Sequence, residues 1–193
     1  IFGWLMLGGK CSSCKEPIAW RYPAVELFTA LVFILTYWQV GFTVFLPVAL
    51  VFVSTMIALL FIDAEHMILP NVITYPLFAA VLVVRIIYPV VFAGFSFSDA
   101  SYSPIDQLSG YAGWAVSLAG ALFGALVGGG SLWLVGAIWK ALRGVDAMGL
   151  GDVKMMFGVG ALLGWRVIIL TIFLGAFSGA LLGIALVLSR KEY

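Results

Sequence analysis

The sequence contains very little charge. Lysine, arginine, aspartate and glutamate together make up 10% of its 193 residues, whereas about 25% is usual in a soluble domain. So few charged side chains cannot cover a folded core with a water-facing surface, and the net charge of +1 is too small to indicate a nucleic-acid partner. Hydrophobic residues make up 64% of the chain, and the mean hydropathy is +1.16. The composition therefore predicts an all-α, polytopic bundle of transmembrane helices in a lipid bilayer.

Histidine and cysteine are also scarce. His66 is the only histidine, which excludes a zinc site of the H-E-x-x-H type, and no G-x-S-x-G turn is present for a serine hydrolase. Two cysteines cannot form a disulfide framework. Cys11 and Cys14 have the C-x-x-C spacing of a metal-binding pair, and two free thiols in a loop are the alternative. Carboxylates are the catalytic groups that remain.

Long apolar runs divide the chain into about six membrane spans. A helix needs about 20 apolar residues to cross the hydrocarbon core. We expect spans at roughly 24–40, 43–62, 70–92, 111–139, 152–165 and 167–189. The fifth of these is short for a bilayer. The stretch 96–110 is rich in Ser, Asp and Pro and predicts a loop outside the membrane.

The basic residues fall mainly on one side of this arrangement. With six crossings and a cytoplasmic N-terminus, eight of the ten basic residues lie in the cytoplasm, as the positive-inside rule expects. These are Lys10, Lys15, Arg21, Lys140, Arg143, Lys154, Arg190 and Lys191. Arg85 and Arg166 lie toward the opposite face. We therefore expect both termini in the cytoplasm, residues 93–110 outside, and a cytoplasmic segment 1–22 ahead of a membrane domain 23–193.

Two series of glycines recur at intervals of four residues. They are Gly120, Gly124 and Gly128, and Gly175, Gly179 and Gly183. On a helix this spacing places the glycines along one face, where a neighbouring backbone can approach closely. Both series therefore predict tight helix packing.

Two aspartates that are distant in sequence reach the same predicted membrane boundary. Asp63 follows the second span, and Asp152 begins the fifth. Ionisable groups at membrane depth are costly, so they usually face a protein interior, a water-filled cavity or each other. A close pair of carboxylates can share one proton. The ionised partner can then deprotonate water while the protonated partner donates to a substrate carbonyl, which is the chemistry of peptide hydrolysis.

Simpler roles are also open to these residues. Asp63 and Glu65 can be helix-end charges in the headgroup region, and Asp152 can be a helix N-cap. Glu65 and His66 are expected to be solvated surface groups. A transporter or channel can use Asp63 and Asp152 as proton or cation sites, although such sites tend to lie near the midplane and no internal repeat is evident. A non-enzymatic assembly factor, whose charges only anchor helix ends, is the third alternative.

The residues around Asp152 carry a resemblance to a known family. Gly149-Leu150-Gly151-Asp152 resembles the G-x-G-D signature of intramembrane aspartyl proteases, and its context resembles type IV prepilin peptidases. Three further stretches match that family in the right order along nearly the whole chain. They are Arg21-Tyr22-Pro23 with Glu26, Ile62-Asp63 followed by Leu69-Pro70-Asn71, and Gly160-Ala161 with Gly164-Trp165.

The resemblance implies an aspartyl endopeptidase with Asp63 and Asp152 as its catalytic residues, and with Gly149, Gly151 and Lys154 in its active-site loop. Family members remove a short basic leader from type IV prepilin or pseudopilin precursors, usually between a Gly and a Phe. They do so at the cytoplasmic face of the bacterial inner membrane, and proteolysis needs no cofactor. Many members then methylate the new N-terminus with S-adenosylmethionine, and for this chain that activity is implied by the resemblance alone.

The cysteines depart from the family pattern. Members with both activities usually have two C-x-x-C pairs in a cytoplasmic loop after a first membrane helix, whereas this chain has only Cys11 and Cys14. One pair cannot complete a tetrahedral zinc site. We expect a first helix and a first pair ahead of Ile1, with Cys11 and Cys14 as half of a zinc or thiol cluster. The alternative is a version of the protein that lacks the metal.

Overall fold

The computed structural model describes residues 2–92, 111–146 and 148–189, and helices dominate these ranges. The expected external loop at 93–110 lies outside the described residues, and so do Arg190 and Lys191. A single antiparallel bridge between Lys10 and Pro17 is the only β-type pairing in the described ranges. The all-α prediction is confirmed.

Most of the helices follow the apolar runs of the sequence. In the described ranges they are α1 (Phe2–Met6), α2 (Arg21–Val40), α3 (Leu46–His66), α4 (Asn71–Val91), α5 (Gly113–Ala125), α6 (Ser131–Arg143), α7 (Leu150–Leu163) and α8 (Trp165–Ser189). A π-helical turn at Leu126–Gly130 joins α5 to α6 in one helical stretch of 31 residues. This stretch, α2, α3, α4 and α8 are long and apolar enough to cross a membrane. The chain is therefore a multi-pass membrane protein.

Helix α7, the fifth predicted span, is shorter than these five. It has 14 residues, or about 21 Å at a rise of 1.5 Å per residue, whereas the hydrocarbon core is about 30 Å thick. Gly164 ends the helix with a φ of 82°, a conformation that favours glycine, and α8 begins at the next residue. Six crossings and two cytoplasmic termini stay predictions.

The chain divides into two compact units, with the boundary between Met67 and Ile68. In the first unit α2 packs against α3, and the rings of Phe28 and Phe61 meet edge to face with their centroids 6.3 Å apart. The predicted boundary after residue 22 separates a cytoplasmic segment from the membrane domain. It concerns position relative to the membrane and stays a prediction.

Helix α7 is the centre of the second unit. It packs against α4, α5, the π-helical turn and α8, and Val153, Val159 and Leu162 are among its buried residues. Where α5 crosses α7, a methyl group added to Gly124 would collide with the carbonyl oxygen of Gly160, and the reverse also holds. Only glycine on both helices permits this approach. The predicted close packing is therefore confirmed at Gly124.

The glycines of α8 do not behave in the same way. A Cβ built at Gly175, Gly179 or Gly183 meets no atom within 4 Å. Within the described part of the second unit, this face of α8 therefore contacts no other helix, and the predicted tight packing is not found there. A spacing of four residues defines a face of a helix but does not supply its partner.

Candidate active site

Asp152 lies in the first turn of α7. Gly149 has the extended N-cap conformation, with φ of −69° and ψ of 139°, so the helix begins at Leu150 and Asp152 is its third residue. Asp152 is therefore not the N-cap, and that alternative is wrong. A carboxylate in a first turn is favoured by the helix dipole and by the unpaired N–H groups there. The side chain is partly buried.

The glycine before Asp152 fixes how closely α7 approaches the segment ahead of α4. A Cβ built at Gly151 would lie 2.8 Å from the Cβ of Leu69, a distance that neither side chain can relieve by rotating. A larger residue at position 151 would therefore push the first turn of α7 away from Leu69. This close approach explains why the second glycine of the G-x-G-D sequence cannot be replaced by a larger residue without moving the helix.

The lysine after Asp152 ties the same turn to α4. Lys154 Nζ donates a hydrogen bond of 2.9 Å to Oδ1 of Asn71, the first residue of α4. The same ammonium group lies 5.1 Å from the centroid of the Tyr75 ring, one helical turn later. Gly151 and Lys154 lie on either side of Asp152 in sequence. Gly151 approaches Leu69 just ahead of α4, and Lys154 contacts the first turns of α4. They therefore fix the position at which α7 presents the Asp152 carboxylate.

Asp63 lies in the last turn of α3, which continues past the predicted end of the second span at residue 62. The helix ends at His66, and Met67 has a left-handed conformation with a φ of 52°, uncommon for a residue other than glycine. The N–H of Met67 donates to the carbonyl oxygen of Asp63 at 2.7 Å and closes the helix. The Asp63 side chain is exposed. Its backbone is therefore fixed by the helix end while its carboxylate is available to other groups.

An ion pair lies two residues beyond Asp63. Glu65 pairs with Arg21, the first residue of α2, and one of its oxygens lies 3.8 Å from Nε2 of His66. The Arg21 and Glu65 side chains are 52% and 43% exposed, so their pair contributes only about 0–1 kcal/mol. Glu65 is exposed, as expected, but it is not only solvated, because its side chain links α2 to α3 beside Asp63.

Cys11 and Cys14 lie in a tight turn ahead of α2. The N–H of Lys15 donates to the carbonyl oxygen of Cys11 at 3.2 Å, and the N–H of Cys11 donates to Glu16 at 2.9 Å. Hydrogen bonds from the backbone N–H groups of Cys14 and Ser13, and from the Cys14 thiol, lower the pKa of Cys11 below its ordinary value. The thiolate is the form that binds a metal. The turn therefore suits half of a thiolate metal site.

No complete metal site is found among the residues that the structure describes. Nowhere in residues 2–92, 111–146 and 148–189 do three or more His, Cys, Asp or Glu side chains gather to hold an ion. Cys11 and Cys14 are free cysteines and supply two ligands. A structural zinc ion takes four.

The residues expected in an active-site loop lie at the N-terminal end of a helix, and their role in catalysis stays a prediction. Gly149, Gly151, Asp152 and Lys154 all lie at the start of α7, in the second unit. Asp63 belongs to the first unit, and its pairing with Asp152 stays a prediction.

Sequence reasoning gave no role to three residues that hold this turn, Leu69, Asn71 and Tyr75. The Leu69-Pro70-Asn71 stretch matches the family, but nothing in its spacing identifies its contacts.

Two parts of the chain match families of known proteins. Residues 50–184, which include Asp63 and Asp152, match the type IV leader peptidase family. Residues 1–40 match the bacterial peptidase A24 N-terminal domain. The chain belongs to the type IV leader peptidase family.

Several relatives of this chain carry the name prepilin leader peptidase/N-methyltransferase. The protein from Pseudomonas aeruginosa is 36% identical over 191 residues, which cover 99% of this chain and 57% of the relative. Those from Aeromonas hydrophila and Neisseria gonorrhoeae are each 33% identical over 193 residues, covering all of this chain and 58% and 59% of the relatives. The chain thus spans less than two thirds of their length. No solved structure matches it significantly.

Proposed function

We propose that this protein is a prepilin leader peptidase, an aspartyl endopeptidase that removes the basic leader from type IV prepilin or pseudopilin precursors. The observation that carries the proposal is the first turn of α7. There Asp152 lies between Gly151, which approaches Leu69 ahead of α4, and Lys154, which contacts the start of α4. Membership of the leader peptidase family and the names of the relatives support the same function.

In the proposed mechanism, Asp63 and Asp152 share one proton around a water molecule. Two close carboxylates cannot both ionise cheaply, so such a pair retains a proton. The ionised aspartate accepts a proton from the water, whose oxygen attacks the scissile carbonyl carbon, while the other aspartate protonates the carbonyl oxygen. The tetrahedral intermediate then returns a proton to the aspartates, and its C–N bond breaks as the departing amine takes up a proton. No step needs a metal or a cofactor.

The positions of the two aspartates along their helices suit this substrate. Asp63 lies in the last turn of α3 and Asp152 in the first turn of α7, so both carboxylates stand at helix ends. The leader of a prepilin is basic and the segment that follows it is apolar, which places the scissile bond at the membrane boundary. We therefore locate the active site at the cytoplasmic face of the bacterial inner membrane, the side that the basic residues indicate.

We propose methylation of the new N-terminus, with S-adenosylmethionine as donor, as a second activity. The names of the relatives favour it, since they include N-methyltransferase. We also propose that Cys11 and Cys14 supply two of the four thiolates of a zinc site. The tight turn around Cys11, whose hydrogen bonds lower the pKa of its thiol from the ordinary value, supports this role.

Incubation of a pilin-like precursor with the purified full-length protein in proteoliposomes tests the peptidase proposal. Mass spectrometry of the product should show a single cut that separates the basic leader from the apolar segment. A transporter that uses the two aspartates as ion sites would leave the precursor intact and move protons or cations across the vesicle. An assembly factor would do neither.

A further inference from the structure

A cavity of about 590 Å³ lies in the second unit between α6 and the start of α7. Trp133 and Gly136 line it from α6, and Gly149 and Val153 line it from the N-terminal end of α7. Pockets for small organic groups typically have about 300–1,000 Å³. The cavity is therefore large enough for one bulky side chain and the adjoining backbone of a peptide.

The cavity lies beside the helical turn that carries Asp152. Gly149 lines the cavity, and the position that a Cβ of Gly149 would take lies 3.7 Å from Oδ2 of Asp152. Val153, the residue after Asp152, lies in the same wall. A group bound in the cavity therefore lies against the same helical turn as Asp152.

The lining favours an apolar group over the basic residues of the leader. Most of its described residues are apolar, among them Leu132, Trp133, Met148, Leu150 and Val153. Its two charged residues pair with each other, with Oδ1 of Asp146 2.9 Å from Nζ of Lys140. A lysine or arginine of the leader would lose hydration against the apolar wall. An apolar side chain gains roughly 25 cal/mol for each Å² of surface that it buries.

We propose that this cavity binds the apolar side chain that directly follows the scissile bond. The assignment rests on the proposed peptidase function and adds a specificity pocket to it. Gly136 and Trp133 are then the residues of α6 that set the size of the accepted side chain. A Cβ at Gly136 would lie 3.6 Å from the Cγ of Met148, which is an ordinary contact distance. A side chain can therefore be added at position 136 without a collision at its Cβ.

A substitution that fills the pocket tests this assignment. Purified wild-type protein and Gly136→Leu are compared on two pilin-like precursors, with Phe or Ala after the scissile bond. We expect Gly136→Leu to lower kcat/KM for the Phe precursor about tenfold or more, the range seen when a hydrophobic pocket loses space for a substrate group. The Ala precursor should be cut at nearly the wild-type rate. The matched control is Gly175→Leu on α8, where a Cβ meets no atom within 4 Å, and its preference should not change.

Trp133→Ala supplies the opposite change and covers the case in which Gly136→Leu fails to fold. Removing the indole enlarges the pocket, so the preference should shift toward a precursor with Trp after the scissile bond. An unchanged preference in Trp133→Ala, or an equal loss on both precursors in a folded Gly136→Leu protein, overturns the assignment. Failure of the peptidase proposal itself looks different, because wild-type protein would then cut neither precursor.

Discussion

The crossing of α5 and α7 is the contact whose disruption can be estimated most directly. In Gly160→Ala, the new methyl group would collide with the carbonyl oxygen of Gly124 and lie 2.8 Å from its carbonyl carbon. Carbon atoms at optimal separation are about 3.5–4.0 Å apart. The neighbouring atoms are backbone and cannot rotate away, so the two helices must separate by roughly 1 Å.

Two opposing effects determine the stability of this variant. Inserting a methyl group into a packed interior costs typically about 1–3 kcal/mol, and we expect the upper part, about 2–3 kcal/mol, because backbone has to move. Replacing glycine by alanine inside a helix recovers about 1 kcal/mol of helix propensity. The expected net loss in the free energy of unfolding is about 1–2 kcal/mol, which corresponds to a fall in Tm of about 2–8 °C for a chain of this size.

Thermal unfolding of the purified protein in detergent measures this effect. The matched control is Gly175→Ala, because the added methyl group meets no atom within 4 Å on α8. It gains helix propensity without a collision, so its Tm should equal or exceed that of the wild type. A Gly160→Ala protein as stable as Gly175→Ala would refute the close approach of α5 and α7.

Three further predictions concern the Lys154–Asn71 hydrogen bond, the metal and the topology. Lys154→Met removes this hydrogen bond, so kcat for precursor cleavage should fall with little change in KM. Lys154→Arg should recover part of the lost kcat, and a change confined to KM would contradict the positioning role of Lys154. Metal analysis of the reduced full-length protein should find zinc that is lost when either cysteine is replaced by serine, whereas protein without zinc removes the metal hypothesis and leaves proteolysis untouched. A cysteine placed at Ser101 in a cysteine-free background should be labelled from outside the cell, and labelling of one placed near Arg143 instead would invert the topology.

The helices could be predicted because each long span is a continuous apolar run. Their ends were predicted less well, since polar residues can extend a helix beyond its apolar part. The second span was expected to end at residue 62, but α3 continues to His66 and includes Asp63 in its last turn. Likewise α7 begins at Leu150, two residues ahead of the predicted start, and this shift places Asp152 inside the helix.

The contacts between helices could not be predicted, because they join residues far apart in the chain. Lys154 and Asn71 are separated by 83 positions, and no periodicity connects them. The count of six crossings places Arg85 toward the outer face, and the structure shows that its side chain is fully buried in the second unit. A charge count places a residue along the membrane normal, but it does not show which side of its helix faces the protein interior.

The assignment of Asp63 and Asp152 as a catalytic pair depends on a proton that each must be able to accept and return. An asparagine keeps the size of the aspartate and most of its hydrogen bonds, but it cannot alternate between acid and base. Loss of one such group typically costs about 10²–10⁴-fold in rate, and more where two groups work as a unit. The same substitutions should leave the protein folded, since they remove one of two charges that would repel.

Cleavage of a pilin-like precursor by four variants of the full-length protein tests this claim most directly. Asp63→Asn and Asp152→Asn should each lose cleavage by at least about 10²-fold. Glu65→Gln and His66→Gln are the matched controls from the same end of α3, and they should retain substantial activity because the Arg21–Glu65 pair contributes little to stability. If either aspartate variant is well folded and cuts the precursor at nearly the wild-type rate, the aspartyl-protease mechanism is wrong.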